Sequence, residues 1–111
     1  MTKTALLFAG QGAQIVGMGK DLAEAFPTAR GIFDRANQAL GYDLAKVCFE
    51  GPEAELTKTE NAQPAIYLVS WVCLQLLRER VPSLEFHATA GLSLGEFTAL
   101  AAAGVMSFED G

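Results

Sequence analysis

The stretch Ala90-Gly91-Leu92-Ser93-Leu94-Gly95-Glu96-Phe97 decides the fold, because it sets a serine between two glycines at the spacing Gly-x-Ser-x-Gly. This pattern is typical of a nucleophile elbow, in which a strand ends, turns sharply at the serine and continues as a helix. A side chain at either glycine would collide where the strand and the helix close up. Such a turn exposes the Ser93 hydroxyl and directs the backbone N–H of Leu94 at whatever the serine attacks. The alternative interpretation is a serine in an ordinary strand-to-helix turn.

The residues on both sides of this motif favour the elbow. Residues 84–90 are short and partly apolar, as a strand leading into the turn would be. Residues 96–103 are small and helix-prone, and Gly104 suits the C-cap of that helix. The sequence therefore predicts a strand, a turn at Ser93 and a helix.

The composition of the chain narrows the classes of function. Half of the 111 residues are apolar, which suits one domain with a core. With a net charge of −5 and only eight Lys and Arg residues, we expect no nucleic-acid binding. One histidine and two distant cysteines offer little to a metal, and no apolar run is long enough to span a membrane. We expect a cytoplasmic protein, since no secretory signal or close cysteine pair is present.

Another strand is predicted near the start of the chain, over residues 4–9. Its apolar run shows no polar alternation, which predicts burial on both faces of a parallel sheet. The strand leads into the loop Gly10-Gln11-Gly12. The dinucleotide-binding fingerprint fails here, because Ile15 stands where its third glycine would fall. The loop either presents a backbone N–H to an anionic centre or is simply a turn.

The middle of the chain is predicted to be helical. A short helix spans residues 21–26, and Thr28 is the expected N-cap of a second helix that ends at Gly41. Pro52 suits the first position of a further short helix. The expected buried positions of the second helix are Ile32, Phe33, Ala36 and Leu40.

The longest helix is predicted to follow the polar residues 57–61. Pro64 would lie in its first turn, where a missing N–H is tolerated. Gln63 stands beside it and, taken alone, reads as a surface or capping residue. The apolar positions recur at steps of three and four: Ala62, Ala65, Ile66, Val69, Val72, Cys73, Leu76 and Leu77.

These elements predict an α/β fold with an incomplete parallel sheet. Only two strands are visible, whereas sheets commonly have about four to six. We therefore expect residues 1–111 to form the N-terminal part of a larger domain. The final residues begin another element, because Ser107 followed by acidic residues is a helix-start signal.

A base for Ser93 is harder to find than the serine itself. A serine hydroxyl is a poor nucleophile without one. The only histidine, His87, precedes Ser93 by six residues, which along a strand is roughly 20 Å. We interpret it as a sheet-edge or partly buried residue. Glu96 could cap or orient the turn, but an ordinary carboxylate is a weak base near neutral pH.

In three segments the chain resembles the malonyl-CoA:acyl carrier protein transacylases and the acyltransferase domains of fatty-acid and polyketide synthases. Residues 8–14, Phe-Ala-Gly-Gln-Gly-Ala-Gln, resemble the Gly-Gln-Gly loop of that family. Residues 59–65 resemble its Thr-x-x-x-Gln-Pro-Ala segment, and residues 91–100 resemble its elbow. The order and spacing of the segments agree with the family over nearly the whole chain.

The resemblance implies part of an α/β-hydrolase-like acyltransferase domain and a role for each matching residue. Ser93 would accept the malonyl group of malonyl-CoA as an ester and pass it to the phosphopantetheine thiol of acyl carrier protein, for fatty-acid synthesis and without a cofactor. The backbone N–H groups of Gln11 and Leu94 would form the oxyanion hole. Gln11 and Gln63 would line the substrate site.

Two departures from the family are visible. Leu92 stands where the family usually has a histidine directly before the serine, which affects local polarity and acyl preference. The family's catalytic histidine, its malonyl-binding arginine and its ferredoxin-like subdomain lie beyond the equivalent of Gly111. We therefore expect these 111 residues alone to have little or no transacylase activity.

Two other functions stay open at this point. A serine esterase or thioesterase would share the elbow, but it would not need the Gly-Gln-Gly loop or the Gln-Pro-Ala segment. A non-catalytic protein that binds acyl carrier protein would keep that binding after Ser93→Ala and would form no acyl adduct.

Overall fold

The computed structural model describes residues 3–111; residues 1 and 2, which the expected domain includes, lie outside this range. Within residues 3–111, two strands and six helices follow one another in an order that confirms the α/β class. The strands are β1 (Ala5–Phe8) and β2 (Ala88–Gly91). The helices are α1 (Lys20–Ala25), α2 (Pro27–Leu40), α3 (Leu44–Glu50), α4 (Glu53–Thr57), α5 (Thr59–Arg80) and α6 (Leu94–Ala102).

The two strands pair in parallel, as the sequence predicted. Ala5 lies opposite Ala88, and Phe8 lies opposite Gly91. Because the strands are parallel, their carboxyl ends meet at the same edge of the sheet. The loop after β1 and the turn after β2 therefore leave the sheet side by side.

The predicted burial of β1 on both faces is wrong. Burial alternates along the strand, and Leu7 is 80% exposed. The physical reason is that α6 packs on only one face of the sheet, and no element of residues 3–111 covers Leu7 on the other. The apolar run shows that both faces of the strand could be buried, but it does not show which face another described element covers.

Strand β2 is shorter than the predicted span of 84–90. Its leading residues lie beyond the start of β1, so they have no full strand to pair with. The last backbone contact on this side is the His87 N–H, which donates to the Thr4 carbonyl at 2.8 Å. The segment before it turns, with the Leu84 N–H bonded to the Val81 carbonyl at 2.9 Å.

Helix α5 forms the centre of the core. It packs against α2, α3, α4 and α6, so more than one of its faces is covered. This explains why Tyr67, Leu68 and Leu74 are buried although they lie outside the predicted stripe. Within that stripe, Cys73 and Leu77 are exposed. The buried members of the stripe are Ala62, Ala65, Ile66, Val72 and Leu76.

Helix α2 begins at Pro27 and ends before Gly41, and its predicted N-cap needs a correction. Thr28 is not the N-cap: Phe26 holds that position, and Pro27 is the first helical residue. A proline at this position loses no intrahelical bond, so the helix starts two residues earlier than predicted. Gly41 ends the helix with φ of 79°, as predicted. Leu40 is exposed, while Ile32, Phe33 and Ala36 are buried.

Two further prolines lie at other helix positions than predicted. Pro52 is the N-cap of α4 and not its first residue. Pro64 lies inside α5, because this helix begins at Thr59 and not near Ala62. Pro64 is the sixth residue of α5 and lies beyond the first four N–H groups, which have no intrahelical partner, so its missing N–H costs one backbone bond.

The described chain ends in a turn at residues 108–110. The Asp110 N–H donates to the Ser107 hydroxyl at 3.2 Å, which is the capping contact that the sequence predicted. Phe108 anchors this turn to α5, since its ring stacks between Tyr67 and Trp71, each with ring centroids 5.5 Å away.

No helix within residues 3–111 is long and apolar enough to cross a membrane. Over the same residues, no group of three or more His, Cys, Asp and Glu side chains is arranged to hold a metal ion.

Candidate active site

The loop after β1 touches the turn after β2. A Cβ atom built on Gly10 would lie 2.7 Å from the carbonyl oxygen of Leu92. A Cβ atom built on Gly95 would lie 2.4 Å from the carbonyl oxygen of Phe8. Glycine at both positions therefore lets the two backbones approach within van der Waals contact. The contact brings the Gly-Gln-Gly loop beside Ser93.

Ser93 occupies the junction between β2 and α6. Its backbone has φ of 56° and ψ of −115°, and it is the only non-glycine residue with positive φ within residues 3–111. L-residues rarely adopt such a conformation, and where they do the strain is often linked to function. The chain thus turns sharply at the residue that the sequence singled out.

The Ser93 side chain is exposed, and its hydroxyl makes no capping bond to α6. An ordinary N-cap serine would accept a hydrogen bond from the first turn of its helix. Ser93 thus holds the N-cap position of α6 without the side-chain bond of an ordinary N-cap serine. Its hydroxyl stands at the positive end of α6, where developing negative charge is favoured.

A hydrogen bond ties the two arms of this turn together. The Thr89 hydroxyl in β2 donates to the carbonyl of Ala99 in α6 at 2.9 Å. The bond holds α6 against the strand from which it has just departed. Sequence reasoning missed Thr89, because nothing in its position marks it apart from any other strand threonine.

Two backbone N–H groups are available beside the serine. Within residues 3–111, neither the Gln11 nor the Leu94 N–H donates a hydrogen bond. Gln11 lies three residues after the end of β1, and Leu94 directly follows Ser93. Donors without a partner next to an exposed hydroxyl are what an oxyanion hole requires.

The side chain of Gln11 connects this loop to α5. Its Nε2 donates to the hydroxyl of Thr59, the first residue of α5, at 3.3 Å. The neighbouring Gly12 N–H donates to the Gln14 side chain at 2.8 Å and shapes the same loop. Sequence reasoning did not assign a role to Thr59, although the threonine stands in the segment 59–65 that carried the resemblance.

Gln63 shares a cavity wall with Leu94. Both line a cavity of about 220 Å³, whose other walls are mainly apolar and come from α2, α3, α5, α6 and the final turn. Gln63 is half-buried and is the fifth residue of α5, so it caps no helix. The structure thus places Gln63 on the side of α5 that faces the start of α6.

The same cavity carries the phenol of Tyr67. Burial raises the pKa of Tyr67 to about 12, and the nearby carboxylate of Glu109 adds to the rise. The phenol therefore stays protonated near neutral pH, and it donates to the Phe108 carbonyl at 2.8 Å. Its role here is structural, because that hydrogen bond holds the final turn against α5.

No base is brought to Ser93 by the described residues. His87 precedes the amino end of β2, whereas Ser93 follows its carboxyl end. The His87 Nδ1 accepts the Thr4 N–H at 3.1 Å, which occupies it at the far edge of the sheet. Glu96 is exposed, and its carboxylate makes no hydrogen bond within residues 3–111. The site therefore holds an exposed hydroxyl and two free amides, without a proton acceptor.

Residues 5–111 match the acyl transferase domain. This chain belongs to the acyl transferase domain family. The malonyl CoA-acyl carrier protein transacylase of Bacillus subtilis (strain 168) is 48% identical over 110 residues, which cover 99% of this chain and 34% of that relative. The resemblance found in the sequence is confirmed.

Solved structures of the acyl transferase family agree with this fold. The malonyl CoA-acyl carrier protein transacylase of Clostridium perfringens matches with a TM-score of 0.90 and 44% identity, over 98% of this chain and 34% of that one. A malonyl-transacylase in complex with a type II polyketide synthase acyl-carrier protein matches with a TM-score of 0.91 and 41% identity, over 98% and 35%. The chain spans about a third of the length of the relatives it matches.

Proposed function

We propose that this chain supplies the nucleophile and the oxyanion hole of a malonyl-CoA:acyl carrier protein transacylase. The observation that carries the proposal is the position of Ser93. It is an exposed serine in a rare backbone conformation, at the start of a helix and beside two N–H groups without partners. The names of the relatives supply the substrate and the acceptor: malonyl-CoA and acyl carrier protein.

The reaction would proceed in two balanced steps. The Ser93 Oγ attacks the thioester carbonyl carbon of malonyl-CoA, its proton passes to a base, and the C–S bond breaks to release coenzyme A, whose sulfur takes the proton from that base. The phosphopantetheine thiol of acyl carrier protein, deprotonated by that base, then attacks the Ser93 ester. The C–Oγ bond breaks, and the proton returns to the serine. The N–H groups of Gln11 and Leu94 would hold the oxyanion in both steps, each contributing roughly 3 kcal/mol.

Gln63 and Gln11 are proposed to contact the substrate. The support is the cavity that Gln63 shares with Leu94, together with the side-chain bond from Gln11 to Thr59, which steadies the loop. Leu92 replaces the family's usual histidine and is 85% exposed, so this position would meet the substrate with an apolar side chain. No cofactor enters either step.

The base is the missing part of this chemistry in residues 3–111. His87 is bonded at the opposite end of β2, and within residues 3–111 the Glu96 carboxylate makes no hydrogen bond to the serine hydroxyl. We therefore propose that residues 1–111, as the N-terminal part of an acyltransferase domain, transfer little or no malonyl group by themselves. The absent base also suggests a direct test, because a small external base can replace it.

The test is intact-protein mass spectrometry after incubation with malonyl-CoA, with and without added imidazole. Ser93→Ala is the matched control. We expect a malonyl adduct on the parent chain in imidazole, a weaker adduct or none without it, and none on Ser93→Ala under either condition. An adduct that persists in Ser93→Ala, or no adduct in imidazole on a folded parent chain, would contradict the proposal.

Two further measurements, of ester turnover and of acyl carrier protein binding, separate the alternatives. Turnover of simple esters without a thiol acceptor would favour a hydrolase. Binding of acyl carrier protein that is equal in the parent and in Ser93→Ala, with no adduct in imidazole, would favour a non-catalytic binding protein. We place the activity in the cytoplasm as part of the proposal, supported by two cysteines that are both free thiols.

A further inference from the structure

The loop between β1 and α1 contains a tight turn over residues 10–13. The Ala13 N–H donates to the Gly10 carbonyl at 3.3 Å, which closes a four-residue β-turn with Gln11 and Gly12 at its centre. Gly12 has φ of 108°, whereas the φ of Gln11 is negative. A negative φ followed by a positive φ is the pattern of a type II turn, which favours glycine at the second central position.

A type II turn has a close alternative. Rotating the peptide between the two central residues by about 180° gives a type I turn, in which both central residues have negative φ. Here that peptide carries the Gln11 carbonyl and the Gly12 N–H. It has room to rotate, because a Cβ atom built on Gly12 meets nothing within 4 Å. Its neighbours are better held, since Gly10 packs against the Leu92 carbonyl and the Gln11 side chain is bonded to Thr59.

One side chain opposes this rotation. The Oε1 of Gln14 accepts a hydrogen bond from the Gly12 N–H at 2.8 Å. Rotation of the central peptide would break this bond, because it turns the Gly12 N–H away from Oε1. The bond therefore favours the type II form over the type I form. Gln14 belongs to the segment 8–14 that carried the resemblance, but the two-step reaction above uses no atom of it.

We propose that Gln14 is a positioning residue that holds the loop in the type II form, in which the Gln11 N–H serves the oxyanion hole. The inference deepens the proposed function and rests on it. In the type II form Gln14 occupies the Gly12 N–H, so that within residues 3–111 only the Gln11 N–H of the two central amides is free. Rotation would release the Gly12 N–H and swing the Gln11 carbonyl, a dipole next to the proposed oxyanion donor.

The form of the turn can be measured by NMR independently of Ser93. In a type II turn the Hα of the first central residue lies close to the N–H of the second, whereas in a type I turn the two N–H protons are close. The parent should show a strong nuclear Overhauser cross-peak between the Gln11 Hα and the Gly12 N–H. Gln14→Met removes the acceptor at a similar length and should add a cross-peak between the two N–H protons. Gln14→Glu keeps an acceptor oxygen and should keep the parent pattern.

The rate of malonyl adduct formation on Ser93 in imidazole is then measured at several malonyl-CoA concentrations. For Gln14→Met we expect the maximal rate to fall about tenfold at an unchanged half-saturating concentration, since an oxyanion contact acts in the transition state. Deleting a donor costs roughly 10² to 10³-fold, and the loss is smaller here because the loop still visits the type II form.

A second variant reaches the same state by another route. Gly12→Ala should also lower the maximal rate, because an L-residue disfavours φ of 108° although its Cβ has space. Gln38→Met is the matched control, since it makes the same substitution at an exposed position on α2 and should leave the rate and the cross-peaks as in the parent. Circular dichroism checks that each variant is folded.

The two readouts keep this proposal and the proposed function separate. If Gln14→Met keeps the parent cross-peaks, or changes them without changing the maximal rate, the role of Gln14 is refuted and the proposed function stands. A change confined to the half-saturating concentration would place Gln14 in substrate binding and would also overturn the proposal. No adduct on the parent in imidazole would refute the proposed function and with it the catalytic role of Gln14, while the cross-peaks would still report which residue holds the turn.

Discussion

Gly91 and Gly95 touch across the turn that contains Ser93. A Cβ atom built on Gly91 would lie 2.1 Å from both the carbonyl carbon and the carbonyl oxygen of Gly95. No real Cβ tolerates such a distance to backbone atoms, so the end of β2 and the first turn of α6 can approach only through glycine. The two glycines of the motif act together to set the path of the backbone around the serine.

The first prediction concerns this contact. Gly91→Ala should lower the free energy of unfolding by about 3 kcal/mol or more, because neither backbone segment can move aside without breaking the sheet or the helix. Gly31→Ala is the matched control: it lies within α2, and a Cβ there meets nothing within 4 Å. It should stabilise the chain by up to about 1 kcal/mol. Urea unfolding of both variants provides the measurement, and equal effects would contradict the packing described here.

The second prediction separates the chemistry of Ser93 from its backbone strain. Ser93→Ala keeps a Cβ at positive φ, whereas Ser93→Gly removes it. Strain at such a residue costs about 1 to 3 kcal/mol, which exceeds the entropy that an added glycine loses on folding. We expect Ser93→Gly to be about 1 kcal/mol more stable than Ser93→Ala in urea unfolding. If Ser93→Ala is the more stable variant, the turn is relaxed and the strain argument fails.

The third prediction concerns the bond from Thr89 to the Ala99 carbonyl. Thr89→Val keeps the shape of the side chain but removes the donor, and it should cost about 1 kcal/mol of stability. It should also speed hydrogen exchange of the amides in α6. Thr89→Ser keeps the hydroxyl and should restore most of the protection. Comparable exchange in the valine and serine variants would show that the bond does not hold α6 in place.

The fourth prediction concerns the buried thiol of Cys48. Burial raises its pKa to about 12, from 9.0 in the unfolded chain. Between these two values only the unfolded state gives up the proton, so the contribution of Cys48 to stability is full below pH 9 and is lost as the pH rises toward 12. Cys48→Ala removes this dependence. The stability difference between the parent and Cys48→Ala should therefore shrink above pH 9 by up to about 1.4 kcal/mol per pH unit.

Urea unfolding of the parent and Cys48→Ala at pH 7, 9 and 10 measures that difference. An unchanged gap across the series would mean that the thiol ionises equally in both states. Alkylation gives an independent check, because Cys73 is exposed and Cys48 is buried. Iodoacetamide near pH 8 should label Cys73 in the folded chain and should reach Cys48 only in urea.

The sequence predicted the parts of this molecule that depend on local backbone chemistry. The turn at Ser93, the end of α2 at Gly41 and the parallel pairing all follow from glycines and apolar runs. Errors arose where tertiary packing decides the outcome. Leu7 belongs to an apolar run but is exposed, and Pro64 lies inside α5 because this helix begins five residues before it, at Thr59.

In the candidate site, too, the residues set by local backbone chemistry were predictable and those that depend on tertiary contacts were not. Ser93 was found from its motif, and Leu94 follows from it by chain geometry. Gln11, Gln63 and their roles came from a resemblance, since spacing alone left the loop and the glutamine open to ordinary interpretations. Thr89 and Thr59 were found only in three dimensions, because each acts through one hydrogen bond to a segment distant in the chain.

The pairing of β1 with β2 also has a consequence for synthesis of the chain. The two strands are separated by 83 residues, counted from the Thr4–His87 bond beside the ladder. At a ribosomal rate of about 5 to 20 residues per second, β1 waits roughly 4 to 17 s for its partner strand. During that interval Leu6, Leu7 and Phe8 are an apolar segment without its partner strand. The nascent chain therefore exposes this apolar segment to a holding chaperone until residues 88–91 have left the ribosome and can pair with it.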